Sequence, residues 1–234
     1  MKKEDFDNSS EIYLFRMYRP NGADSSTKLN EFINYLKFNR VAAPFQFSYV
    51  STKGDLISEL TLNQNILLEY TSPSLTEEKE GHLRKFFKER PNLHLEALYN
   101  MISNIDEYPS EAGPEENKIT ALLKAFIANK PFIFLEYPEA ELSPKAQKLL
   151  QKAIELQAKN LRQNIFIVTK QEQNWSKYIS KIVERTESFS FKTKNAEYLQ
   201  EFKLEKEKFY LPVRKEAANL PILSFKIPKK KSAA

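Results

Sequence analysis

Glu11-Ile-Tyr-Leu-Phe-Arg-Met-Tyr18 runs into Arg19-Pro-Asn-Gly-Ala-Asp-Ser-Ser26 and then into Thr27-Lys-Leu-Asn-Glu-Phe-Ile-Asn-Tyr-Leu36. The first eight residues are mostly β-branched and aromatic, which predicts a strand. Pro20-Asn-Gly-Ala23 carries turn-forming residues at positions that suit a turn. Beyond it, Leu29, Phe32, Ile33 and Leu36 fall at i, i+3, i+4 and i+7, one buried face of a helix. Ser25 or Ser26 can cap that helix. A strand, a loop and a helix follow one another without interruption.

That succession is the context of a phosphate-binding loop, G-x-x-x-x-G-K-[S/T]. Here the eight aligned residues are Arg19 to Ser26, with Thr27 next. The first Gly is Arg19 and the second is Asp24, with Asn21 and Gly22 between them. The Lys is Ser25, and only the hydroxyl survives, as Ser26. Asp24 would set a negative charge about 5 Å from a phosphate, at a cost of roughly 3 kcal/mol per unit charge pair. Losing the Lys removes a comparable attraction. The two together amount to several powers of ten in affinity, since about 1.4 kcal/mol is tenfold. The expectation is a nucleotide-binding shape without nucleotide binding.

Composition narrows the class. At 234 residues, 41% hydrophobic and 29% charged, the chain suits one domain with a subdomain and a tail. No run of 18 apolar residues predicts a membrane span, and Met1-Lys-Lys-Glu-Asp-Phe-Asp7 has no apolar core of a signal peptide. There is no cysteine, hence no disulfide framework, thiolate nucleophile or cysteine zinc site. A cytoplasmic place is expected. Only four glycines are present, few for close backbone approach to phosphate. The net charge of +5 is uneven, with Lys226, Lys229, Lys230 and Lys231 near the end in what reads as a solvated tail. Interleaved aromatic and basic residues of a nucleic-acid module are missing.

Phe45-Gln-Phe-Ser-Tyr-Val50 reads as a strand, 51–59 as a loop around Gly54, and 60–70 as the start of a helix. Helices are predicted over 75–90 and 93–105, separated by Pro91, with a break over 106–114. Residues 115–129 form a helix with Ile119, Leu122, Leu123, Phe126 and Ile127 on one face. Phe132-Ile-Phe-Leu135 and Ile165-Phe-Ile-Val-Thr169 are short apolar runs of the buried, parallel-sheet kind. Between them Ser143-Pro144 opens a helix to about Leu161, with Ala146, Leu149, Leu150, Ala153 and Ile154 inward. Residues 178–184 read as a short helix or strand, followed by a charged extension. The pattern predicts an α/β fold with a mostly parallel sheet flanked by helices and an inserted helical block.

In this order the segments resemble the ATP-binding subunit of an ABC transporter, over roughly 11–185. The likeness is closest to the lipid-transport and lipoprotein-release type. Leu56-Ile-Ser-Glu-Leu-Thr-Leu-Asn-Gln-Asn-Ile66 resembles the segment after the Q-loop, and Tyr108-Pro-Ser-Glu111 the lead into the signature motif. Phe132-Ile-Phe-Leu-Glu-Tyr-Pro-Glu-Ala-Glu-Leu-Ser-Pro144 is similar to Walker B and the D-loop, and Ile165-Phe-Ile-Val-Thr-Lys170 to the strand ending in the switch histidine. The resemblance implies a P-loop NTPase fold with a reduced N-terminal β-subdomain, since only Met1 to Ser10 precede the strand. It divides the chain into 1–70 (P-loop-like and Q-loop region), 71–114 (helical subdomain), 115–190 (Walker B-like and switch region) and 191–234 (extension with a basic tail).

Each motif departs at its chemical residue. The Q-loop glutamine falls on Thr52, and the signature L-S-G-G-Q becomes Ala112-Gly113-Pro114-Glu115, one residue short. The Walker B aspartate is Glu136. The catalytic glutamate is Tyr137, whose hydroxyl, with an ordinary pKa of about 10, is no base at neutral pH. The D-loop aspartate is Ser143 and the switch histidine is Lys170, a cation that cannot accept a hydrogen bond. By the resemblance the family's adenine platform is missing here; Phe6 is the one nearby aromatic and is not assigned to that role.

The reading is therefore a catalytically inactive ABC ATPase-like subunit, without cofactor or metal. It would act through protein contacts as a regulatory or structural component of a membrane transport complex, cytoplasmic or peripheral at the inner face of the membrane. The implied partners are a membrane permease, an ABC ATPase subunit, or a second copy, and neither nucleic acid nor a direct membrane span. By the resemblance, the partner interface includes Thr52, Leu56, Ile57 and Leu60, whose apolar side chains could seat a partner helix. Packing within the helical subdomain is an equal alternative for them. Other readings remain: a soluble scaffold unrelated to transport, or an ATPase using unorthodox residues. Glu136, Glu139 and Glu141 crowd one loop that could bind a divalent metal or simply form a solvated acidic turn. His82 and His94 read as surface residues.

Overall fold

The structure is a computed structural model that describes residues 6, 10–17, 25–68, 83, 86–89, 91–186 and 190–197. Among the described residues, six strands form one sheet: β1 Ile12–Arg16, β2 Phe47–Val50, β3 Phe132–Glu136, β4 Asn164–Val168, β5 Lys181–Arg185 and β6 Phe191–Asn195. Their order is β2-β3-β4-β1-β5-β6. The first five strands run parallel, and β6 alone is antiparallel, against β5. The two apolar runs expected to be central neighbours pair directly, from Phe132 opposite Asn164 to Glu136 opposite Val168. The helices are α1 Ser25–Phe38, α2 Leu62–Leu67, α3 Leu93–Tyr99, α4 Pro114–Ile127, α5 Pro144–Leu161 and α6 Glu172–Trp175. Residues 86–89 are also helical.

Alternation along each strand sorts the core into two kinds of side chain. Ile12, Leu14, Ile133, Leu135, Ile165, Ile167 and Ile182 face the side packed by α2, α4 and α5. Tyr13, Phe15, Phe132, Phe134, Phe166 and Val183 face the other side, under α1. There Phe32 of α1 stacks on Phe134 at 4.6 Å and Tyr13 on Phe166 at 4.4 Å, the offset geometry that aromatic pairs favour. Phe6 sits edge-on among Tyr13, Tyr35, Phe132 and Phe166. Its ring is core, not an exposed platform.

Four expectations change. The buried face of α1 is Lys28, Glu31, Phe32, Tyr35, Leu36 and Asn39, with Leu29 and Ile33 half-buried. It is turned by about one residue from the apolar stripe, because two charged residues are inside. The helix predicted over 93–105 ends at Tyr99, where the amides of Met101 and Ile102 turn back to Leu98 and Tyr99 and Ser103 N–H is taken by Glu116 at 2.8 Å. The helix expected over 60–70 is Leu62–Leu67. The sheet also continues past the expected boundary at 190. Phe191 is buried in β6 while Lys192 faces water, as an edge strand solvated on one face allows. Most of 75–90, His82, and 198–234 lie outside the described residues.

Candidate functional site at the end of β3

Glu136 is the last residue of β3 and lies on the same face as Phe134, two residues earlier. Lys28 lies one turn before Phe32 on α1. The stacked Phe32–Phe134 pair therefore continues directly into a Lys28–Glu136 ion pair. Helical side chains lean towards the N-terminus, which carries Lys28 past the ring layer to the strand end. The pair is deeply buried, at 6% and 1% side-chain exposure. Tyr49 of β2, itself stacked on Phe134, donates its hydroxyl to Glu136 Oε2 at 2.7 Å. Thr52 donates to Oε1 at 2.8 Å. Both carboxylate oxygens are thus engaged by side chains from three elements.

A second buried lysine lies behind the same carboxylate. Lys118 of α4 donates to the carbonyls of Ser51 (2.8 Å), Thr52 (3.0 Å) and Glu136 (3.4 Å). Burial pushes its pKa down to about 8, against the opposing pull of Glu139, Glu136, Asp55 and Glu141. The loop it holds needs Gly54, whose φ is +74° and where a Cβ would lie 2.9 Å from that of Ala121. Next to Glu136, Tyr137 has a left-handed φ of 43° and its N–H is bonded to Val168 O at 2.8 Å. Its ring lies 4.8 Å from Lys28 Nζ and 5.7 Å from Lys170 Nζ, within cation–π range.

The start of α4 is closed by its own carboxylates. Glu115 accepts from Ser143 N–H at 2.8 Å, and Glu116 from Gly113 N–H at 3.1 Å and Ser103 N–H. Those backbone donors hold the Glu116 carboxyl below its ordinary pKa. The segment Ala112-Gly113-Pro114-Glu115 thus presents an internally satisfied helix start. The acidic loop does not converge either. Glu139 turns to the Thr169 hydroxyl and the Trp175 indole N–H, and Glu141 is exposed. Among the described residues, no group of three His, Cys, Asp or Glu could hold a metal ion.

Of the expected site residues, Thr52, Glu136, Tyr137 and Lys170 come together; Arg19, Asn21, Gly22 and Asp24 lie outside the described residues. Ser25 and Ser26 lie in the first turn of α1, followed by exposed Thr27. The proposed contact residues divide: Leu56 packs against the core, Leu60 is half-buried and Ile57 is 40% exposed. Sequence reading missed Lys28, Tyr49 and Lys118. Lys28's one signal is its place four residues before Phe32 on the inward side of α1.

No family model matches the chain, and no curated protein matches its sequence. Solved structures do match its fold. An ATP-binding cassette dimer in a post-hydrolysis state with ADP and Pi superposes with a TM-score of 0.57 at 14% identity, over 80% of this chain and 86% of that one. The ATP-binding subunit of an ABC transporter gives 0.57 at 18% identity, over 86% and 87%. The fold is that of an ATP-binding cassette. An inward-facing ABC transporter of metal-chelate type gives 0.56 at 13% identity, over 88% and 80%. At such identities the likeness is one of fold. A cassette implies a magnesium nucleotide beside the carboxylate that ends β3, and the residues here do not fit the metal. An ammonium from α1 and two hydroxyls take up both oxygens of Glu136. Among the described residues, no helix is long and apolar enough to cross a membrane.

Proposed function

We propose that this chain is a catalytically inactive ABC ATPase-like subunit that works by protein contact within a membrane transport complex. It would pair with a permease, an ABC ATPase subunit or a second copy, at the inner face of the membrane. The observation that carries this reading is the Glu136 carboxylate, which is neutralised from within by Lys28. A metal-dependent reaction needs that carboxylate open to the ion. Beside it stand the Tyr137 phenol and, against that ring, the Lys170 ammonium, in place of a carboxylate or an imidazole that could take a proton from water.

The test is titration calorimetry with Mg-ATP, alongside a phosphate-release assay. The expected result is no binding in the micromolar range and no turnover above background. Micromolar binding or steady phosphate release would end the proposal. Exchanging Asp24→Gly and Ser25→Lys together should then improve binding, with Glu136 still blocked by Lys28.

The contact surface has its own test. Ile57→Glu changes an exposed side chain and should alter stability by no more than about 0.5 kcal/mol, while abolishing recovery of a permease or ATPase partner in a pull-down read by mass spectrometry. Leu56→Glu should instead lower the melting temperature, because Leu56 packs against the core. Unchanged partner recovery with Ile57→Glu places the contact elsewhere.

A further inference from the structure

We propose that the outer face of α5 is an electrostatic contact for an anionic lipid surface, made by Lys145, Lys148, Lys152, Lys159 and Arg162. The inference goes beyond the reading above, because it concerns lipid headgroups rather than a protein partner. It also uses an element outside the loop at 52–60, so the two fail separately.

The two sides of α5 differ sharply. Ala146, Leu150, Ala153 and Ile154 are buried in the core. Lys145, Lys148, Lys152 and Lys159 are exposed and recur at the spacing of a single helix face. At about 100° per residue they fall within an arc of roughly 60°, opposite the buried residues. The row is about 21 Å long. Arg162, the exposed cap residue with φ 52°, extends it. The helix has one carboxylate, Glu155, which lies 2.9 Å from Lys159.

Folding does not call for this arrangement. Lys145 and Lys148, and Lys148 and Lys152, are like charges three and four residues apart, which repel one another. Lys145 stands in the first turn, where the helix dipole disfavours a cation and where α5 has no acidic residue. Other cations meet carboxylates: Arg16 has Glu172 and Glu184, Lys194 has Glu184, and Arg185 has Glu31. Among the described residues, Lys145, Lys148 and Lys152 have no carboxylate within ion-pair distance. An anionic surface laid along the row relieves the repulsion and satisfies the charges together.

The chemistry of the face selects lipid among anionic partners. All its cations but Arg162 are lysines, flexible point charges that suit headgroups in no fixed position. Bidentate grip on the phosphates of a nucleic acid calls for arginine. α5 has no aromatic residue on which a base could stack. A protein interface needs buried anchors and is depleted in lysine. A bilayer needs neither, since the negative potential of its cytoplasmic leaflet attracts each basic residue near it. The apolar side of α5 is spent in the core, so the helix can lie on headgroups without inserting.

The test is co-sedimentation of the full chain with vesicles of phosphatidylglycerol and phosphatidylcholine in about equal parts, against phosphatidylcholine alone. Wild type should bind only the anionic vesicles. Binding should fall steeply with salt, as the Debye length shortens from about 10 Å at 0.1 M to about 3 Å at 1 M. Lys145→Glu/Lys148→Glu should weaken binding at least about thirtyfold. Its melting temperature should be unchanged or higher, because acidic residues suit the first turn and Lys148→Glu sets a carboxylate four residues before Lys152. Lys229→Ala/Lys230→Ala/Lys231→Ala separates the face from the basic tail and should leave the effect of the α5 pair in place. Equal binding to neutral vesicles, or no binding to anionic ones, would overturn the inference. So would wild-type binding by the α5 variant, or binding of polyuridylate in preference to vesicles.

Discussion

Lys28→Met should destabilise the protein by about 3–5 kcal/mol, the usual cost of leaving one member of a buried ion pair unpaired. For a chain of this size that corresponds to a fall in melting temperature of roughly 6–20 °C. Glu136 would remain almost fully buried, keeping the two hydroxyl donors but losing the ammonium that bonds Oε1. Adding Glu136→Gln removes the stranded charge while keeping an oxygen for Tyr49 or Thr52, so the double variant should recover at least half of the loss. Denaturant unfolding read by the chain's one tryptophan, Trp175, provides the measurement, since Trp175 is 1% exposed and bonded to Glu139. The coupling between the two positions decides the outcome, not the size of either single change. Additive losses at the two positions would show that Lys28 and Glu136 do not share a free-energy term.

Much of the architecture is legible in the sequence because a parallel sheet buried on both faces writes itself as short apolar runs. Phe132 to Leu135 and Ile165 to Val168 could hardly be anything else, and α5 announces itself through Ser143, whose side chain does cap it. Charge is where legibility fails. The apolar stripe of α1 misplaces its face because Lys28 and Glu31 are drawn inside by Glu136 and by Arg185 on β5. Hydrophobic periodicity contains no rule that buries a lysine, since burial depends on a partner more than a hundred residues away. Lys118 escapes notice for the same reason: its partners are backbone carbonyls, which no side-chain pattern reveals. The lysines of β6 hide an edge strand inside what reads as a tail. In the site, alignment to a motif records Thr52 as a missing glutamine and Tyr137 as a missing glutamate. The fold gives Thr52 a new bond to Glu136 and sets Tyr137 against Lys28. A list of losses cannot show what the altered residues do with one another.

Asn65→Ala should cost about 3–4 kcal/mol, although the residue lies outside the Glu136 cluster. Its side chain is fully buried and makes four bonds to the loop before α2. Oδ1 accepts from Ile57 N–H at 2.8 Å, and the two hydrogens of Nδ2 are shared among the carbonyls of Ile57 (3.0 Å), Leu60 (3.0 Å) and Thr61 (3.1 Å). One accepted bond and two donor hydrogens, at about 1 kcal/mol net each, give about 3 kcal/mol, and the carbonyls left without a donor add to it, with Thr61 O spared by its bond from Asn65 N–H. Asn65→Asp should be as damaging or worse, since it keeps the acceptor for Ile57 N–H but turns a carboxylate oxygen towards three carbonyls. The consequence reaches the proposed contact surface, because Leu56, Ile57 and Leu60 take their positions from the loop that Asn65 knots. Partner recovery should fall with Asn65→Ala through misplacement of these side chains, whereas Ile57→Glu should remove it with the fold intact. Unfolding of Asn65→Ala in denaturant decides the matter. A loss below about 1 kcal/mol would mean that water replaces the four bonds freely and that the loop does not depend on Asn65 for its shape.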